Sequence, residues 1–193
     1  MRTVSFVSVT LVLAGAVALA AGCGDPLGLP APTIPNRTDT VSLYALSGTP
    51  VTTPSAYIIT FRQVVRTDQS LQGFDFAFDI ESTGRPVLLS TGAMGLGRSS
   101  GIQRTLHAFD SVTVAPAGNY NSDSALAVDS NDVMILHSRP LTCSYGATAA
   151  YFAKLHVLAI DTTSGPNGRR IDFEILTNVN CGYRGLEPGL PKR

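Results

Sequence analysis

Few side chains of this sequence are able to bind a metal ion or a haem iron. Apart from Met1, the histidine and methionine ligands are His107, His137, His156, Met94 and Met134. Such a site needs two or more ligands that converge in space. No two histidines stand at a spacing that puts them on one strand face or helix turn, so a structural role for each histidine stays open as the alternative.

A second segment has the pattern of a catalytic motif. Gly97-Arg98-Ser99-Ser100-Gly101 matches G-x-S-x-G, in which a serine nucleophile sits on a sharp turn between a parallel strand and a helix. The surrounding sequence is β-rich and too short for the α/β sheet that this motif requires. We therefore predict a glycine-rich loop here and a non-enzymatic protein, with a small envelope hydrolase using Ser99 as the less favoured alternative.

The N-terminus has the features of an export signal. Arg2 is the single charge among the first 24 residues, and an apolar run follows it up to Leu19. Residues 20–23, Ala-Ala-Gly-Cys, are similar to a bacterial lipobox, whose cysteine thiol receives a diacylglyceryl group. We predict a lipoprotein signal peptide at 1–22 and lipidation of Cys23. Two alternatives remain: cleavage after Ala20, which releases a soluble exported protein, and an uncleaved membrane helix over 4–22.

The three cysteines fit export to an oxidising compartment. If Cys23 carries lipid, Cys143 and Cys181 remain, and an even number of cysteines in an exported chain predicts a disulfide. The alternative is two separate buried thiols. A metal site is disfavoured because neither cysteine belongs to a C-x-x-C pair. The predicted location is the cell envelope, at the outer membrane or cell surface.

Charge and proline content define the rest of the chain. Without Arg2 the chain has 13 basic residues (14 minus one) against 14 acidic, which excludes the strong positive field that nucleic-acid binding requires.

Four prolines between residues 26 and 35 predict an extended linker over 23–40, followed by one domain over 41–193. An extended segment lying against the domain is the alternative for the linker.

The domain is predicted to be mainly β. Short runs rich in aliphatic, β-branched and aromatic residues alternate with turn-forming clusters, and the longest helical window, 101–109, allows two turns at most. The pattern favours a single antiparallel β-sandwich or a partly open barrel. Phe74, Phe76, Phe78 and Ile80 are predicted to share a buried face opposite Asp75 and Asp79. The predicted strands are 56–65, 74–80, 85–90, 109–116, 131–138, 149–161 and 170–178, the last two forming a hairpin.

The order of these runs resembles that of the HmuY-like haem-binding lipoproteins of bacterial envelopes. The similar segments are FDFAFDI at 74–80, the glycine-rich loop at 92–101, FDSV at 109–112 and YFAKLHVLAID at 151–161. This resemblance implies an exported all-β fold and haem as a candidate cofactor, with ligands drawn from the histidines and methionines above.

The sequence as a whole predicts a lipid-anchored, non-enzymatic cell-envelope domain. It would contact the membrane through its lipid and bind an envelope partner or small ligand through loops. The alternative is an HmuY-like haem-binding lipoprotein.

Overall fold

The computed structural model describes residues 29–70, 73–165 and 168–192. It contains twelve β-strands and two short 3-10 turns, at Gly92–Met94 and Phe109–Ser111. The strands are β1 (Arg37–Tyr44), β2 (Ala56–Ile58), β3 (Gln63–Val65), β4 (Phe76–Ile80), β5 (Pro86–Ser90), β6 (Gly101–Thr105), β7 (Leu126–Ala127), β8 (Val133–His137), β9 (Leu141–Thr142), β10 (Thr148–Ala149), β11 (Phe152–Asp161) and β12 (Arg170–Asn178).

Two five-stranded antiparallel sheets form a β-sandwich, as predicted. Sheet A has the strand order β1-β12-β11-β8-β6, and sheet B has the order β3-β2-β4-β5-β7. Strands β9 and β10 form a separate small hairpin. The predicted hairpin of the last two long strands is confirmed, because β11 pairs antiparallel with β12.

The core lies between the two sheets. Ile171, Phe173 and Ile175 point inward from β12, and the alternate residues Asp172 and Glu174 point outward, which is the period-two pattern of a strand with one buried face. Across the core, the ring of Phe173 lies 6.1 Å from that of Phe76 and 6.4 Å from that of Tyr57. These aromatic contacts join sheet A to sheet B.

Two predictions for individual segments were wrong. Residues 56–65 form the two strands of a tight hairpin, because Arg62 at φ 53° turns the chain between β2 and β3. Residues 109–116 form a 3-10 turn and an irregular segment in which Val114 bridges to Gly185. Residues 101–109, where the sequence allowed two helical turns at most, begin with strand β6.

The predicted two faces of the 74–80 strand also need correction. Regular pairing begins at Phe76, so the period-two alternation does not extend to Phe74 and Asp75. Phe74 packs outside the main core with Ala56, Ile58 and Ala77. Asp75, predicted on the wet face, is 2% exposed. Both faces of β4 are therefore covered.

The chain is bound to the domain from Thr33 onward. The backbone N–H groups of Thr33 and Ile34 donate to Asn180 Oδ1, at 3.0 and 3.1 Å, and Asn36 pairs with Gly189. Strand β1 then begins at Arg37, inside the segment 23–40 that was interpreted as a linker. The predicted signal peptide and Cys23 lie outside the described residues. Within the described part, no helix has the length and apolar character to cross a membrane.

Candidate ligand-binding surface on sheet A

The outer face of sheet A is crossed by the segment 109–122, here called the strap. The strap leaves β6 through a 3-10 turn and returns to it at Asn121, whose backbone N–H and C=O both bond to Ile102, at 2.9 and 3.0 Å. A second apolar cluster, on the outside of the sandwich, joins Val112 and Ala115 of the strap to Val133, Ile135, Leu176 and Leu186. The strap is thus a packed part of the fold.

A buried lysine fixes the start of the strap. Lys154 is 2% exposed, and its Nζ donates to the carbonyl oxygens of Phe109, at 2.7 Å, and Val112, at 2.9 Å. The same ammonium lies 4.5 Å from the centre of the Phe109 ring, within the range of a cation–π contact. Burial lowers the pKa of Lys154 from its ordinary value.

Two cavities flank the strap. The His137 pocket, of about 360 Å³, lies near the start of β6 and is lined by Ala117, Gly118, Tyr120, Ser122, His137, Ala150 and Phe152. The His107 groove, of about 400 Å³, lies towards the other end of β6 and is lined mainly by Gln103, Thr105, His107, Val112, Val114 and Ile135. Each cavity contains one histidine of the predicted ligand set.

The ring of His137 is held on three sides. Its Nδ1 lies 2.9 Å from the carbonyl oxygen of Ser138, which fixes the proton on Nδ1 in the neutral ring. The Tyr120 ring stands edge-on at 4.6 Å, and the Phe152 ring lies at 6.5 Å. A Cβ on Gly101 would come within 2.6 Å of His137 Nε2, so only glycine allows this packing. Among the described residues, Nε2 has no hydrogen-bond partner.

A hydrogen bond from the hydroxyl of Tyr120 holds the Tyr120 ring in place at the wall of the pocket. Tyr120 Oη donates to the carbonyl oxygen of Pro116 at 3.0 Å. Burial raises the pKa of Tyr120 to about 12, so the phenol stays a neutral donor at physiological pH. The pocket therefore has rigid aromatic walls and one imidazole.

The other predicted ligands lie elsewhere. His156 is on the same sheet face as His137 but four residues along β11, about 13 Å away at the strand rise. Its Nδ1 bonds to Glu174 Oε1 at 2.8 Å. Met134 is fully buried between the sheets, and Met94 packs on the outer face of sheet B. The structure does not bring these side chains into one site with His137. Within the described ranges no three His, Cys, Asp or Glu side chains group around a common metal position.

Ser99 belongs to a polar network next to β6. Its Oγ lies 3.2 Å from Thr91 Oγ1, and the neighbouring Ser100 Oγ donates to the carbonyl oxygen of Asp75 at 2.6 Å. The G-x-S-x-G segment leads into strand β6, whereas the hydrolase motif leads into a helix.

Asp75 links the two sheets. Its Oδ2 accepts from the backbone N–H of Ile59 at 2.8 Å, and its Oδ1 accepts from the backbone N–H and Nε of Arg139, at 2.9 and 3.2 Å. Ile59 follows β2 of sheet B, and Arg139 follows β8 of sheet A. The sequence pattern did not reveal this role, because Asp75 lies just before regular strand pairing begins.

Cys143 and Cys181 form a disulfide, with their Cα atoms 5.9 Å apart. The bond joins the β9–β10 hairpin to the segment that follows β12. Tyr145, in the turn of this hairpin, also donates from Oη to the carbonyl oxygen of Cys181 at 3.0 Å. The disulfide is compatible with an oxidising compartment outside the cytoplasm.

No family model matches this chain. A search of the curated proteins also finds no match.

Proposed function

We propose that the protein is an exported cell-envelope lipoprotein, anchored through Cys23, whose β-sandwich binds a small ligand without catalysing a reaction. The His137 pocket carries the binding part of this proposal. It is open to solvent and mostly apolar, and its few polar groups are fixed in place, which is typical of small-molecule sites. The lipobox-like residues 20–23 and the disulfide support the envelope location.

Anchoring through Cys23 is tested by replacing its thiol. In cells grown with a labelled palmitate analogue, the wild-type protein is expected to carry the label and to sediment with membranes, because two acyl chains suffice for stable anchoring. Cys23→Ser should lose the label. The control is the double variant Cys143→Ser/Cys181→Ser, which lacks the other two thiols and should stay labelled. Equal labelling of Cys23→Ser and the wild type contradicts the anchor.

The pocket is tested with two matched histidine variants. A thermal-shift screen of small planar aromatic compounds is expected to give hits that His137→Ala loses and His156→Ala keeps. Both residues lie on the outer face of sheet A, but only His137 lines the pocket. Hits that respond equally to both substitutions would place the ligand elsewhere.

Haem is a second candidate ligand because His137 has an imidazole nitrogen without a partner beside two aromatic rings. This arrangement offers a single axial ligand. A haem titration of the wild type should then shift the Soret band, and His137→Ala should abolish the shift while His107→Ala retains it. No shift with oxidised or reduced haem removes this candidate.

A further inference from the structure

Three exposed apolar side chains lie on segments that meet at Pro35, close to the first described residues of the chain. They are Ile34, Phe61 and Leu190, with exposures of 43%, 55% and 56%. Single exposed apolar residues are ordinary on protein surfaces, but a cluster of them marks a contact surface. We call these three side chains the Pro35 patch.

Hydrogen bonds hold the three segments of the patch together. Asn36 and Gly189 form an antiparallel bridge, with N–O distances of 2.7 and 3.1 Å, which sets Leu190 opposite Pro35. Arg62 Nη2 donates to the carbonyl oxygen of Pro35 at 2.9 Å, and Arg62 Nε donates to Thr177 Oγ1 at 2.8 Å. Phe61 therefore lies in a turn that Arg62 ties to Pro35.

The length of chain before the patch limits its distance from the anchor. Thr33 is bound to Asn180, and it follows Cys23 by ten residues (33 minus 23). A fully extended chain of that length spans at most about 35 Å. Resting on the proposed lipidation of Cys23, this bound keeps the end of the domain at Pro35 within about 35 Å of the anchor.

We infer that the Pro35 patch contacts the bilayer that holds the lipid anchor, with Phe61 and Leu190 inserted at the level of the headgroups. Two of the nearby cations are each paired with a carboxylate, and Arg62 donates to oxygen atoms of Pro35 and Thr177. Arg37 pairs with Asp39 at 3.5 Å, and Lys192 pairs with Glu187 at 3.4 Å. The contact is therefore apolar rather than an attraction to anionic lipids, and added salt should not weaken it.

The sequence has no tryptophan, so one substitution introduces a unique fluorescent probe. Phe61→Trp places an indole in the patch. Leu106→Trp is the matched control, because Leu106 is 100% exposed and follows β6, at the opposite edge of sheet A from β1. Both variants are prepared as full-length lipidated protein in phosphatidylcholine vesicles, with and without brominated acyl chains.

Brominated lipid is expected to quench the indole of Phe61→Trp and leave that of Leu106→Trp unchanged, at low and high salt alike. Equal quenching in the two variants overturns the inference. A blue-shifted but unquenched Phe61→Trp emission also overturns it, since a protein partner or a second copy would then cover the patch. If the protein carries no lipid, the proposed function and this inference both fail. If the protein is lipidated but brominated lipid does not quench the indole of Phe61→Trp, only the inference fails.

Discussion

Asp75→Ala is expected to lower the free energy of unfolding by about 3–5 kcal/mol, the range found when one partner of a buried ion pair is removed. The carboxylate is 2% exposed and accepts three hydrogen bonds, from the Ile59 N–H and from the N–H and Nε of Arg139. Alanine would leave the buried N–H of Ile59 without this acceptor, and it would remove the Asp75–Arg139 ion pair that links the two sheets. Urea denaturation of the purified domain measures the effect.

Asp79→Ala is the matched control for this substitution. Asp79 lies in β4, four residues after Asp75, and its carboxylate bonds to the N–H and hydroxyl of Ser47 at an exposed position. Because water can replace those bonds, a loss of about 1 kcal/mol is expected. Equal losses of unfolding free energy in the two variants would show that the buried carboxylate of Asp75 stabilises the fold no more than an exposed one, and would contradict the prediction.

Removal of the disulfide is expected to have the second large effect. The bond closes a loop with a sequence separation of 38, for which the chain-entropy model gives about 4 kcal/mol of stabilisation. The double variant Cys143→Ala/Cys181→Ala should lose about this amount in denaturant unfolding. A reducing agent should destabilise the wild type to a similar extent and leave the double variant unchanged. A double variant as stable as the oxidised wild type would refute the prediction.

The sequence was most informative where strands are long and have one buried face. Ile171, Phe173 and Ile175 alternate with acidic residues over β12, and that alternation was enough to predict both the strand and its inward face. The sandwich class followed from many such runs separated by turn residues. The disulfide followed from counting cysteines in a chain that was predicted to be exported.

Predictions from local sequence patterns were wrong where tertiary contacts decide the structure. The turn between β2 and β3 has no glycine or proline, and Arg62 adopts a positive φ there while its guanidinium binds Thr177 and Pro35. The strap was predicted as a strand because FDSVTVAP has strand-forming residues. In the structure Lys154 bonds two of its carbonyl groups, and the strap covers the outer face of sheet A before Asn121 pairs with β6.

The candidate site was only partly predictable. His137 was recognised as a candidate ligand by residue type. The pocket walls were not predicted, because Tyr120 comes from a turn cluster and Phe152 from strand β11, and both are distant from His137 in the sequence. One signal was present in the sequence: Phe152, Lys154 and His156 alternate along the outer face of β11. An aromatic ring and a lysine on that face indicate that something covers it.

The identity of the mature N-terminus tests the account most directly. Intact-mass and peptide mass spectrometry of the protein purified from native membranes should find a chain that begins at Cys23 and carries the mass of the acyl groups. The same spectra should find Cys143 and Cys181 joined. A chain that still begins at Met1, or an unmodified thiol at Cys23, would contradict the proposal of an anchored envelope protein.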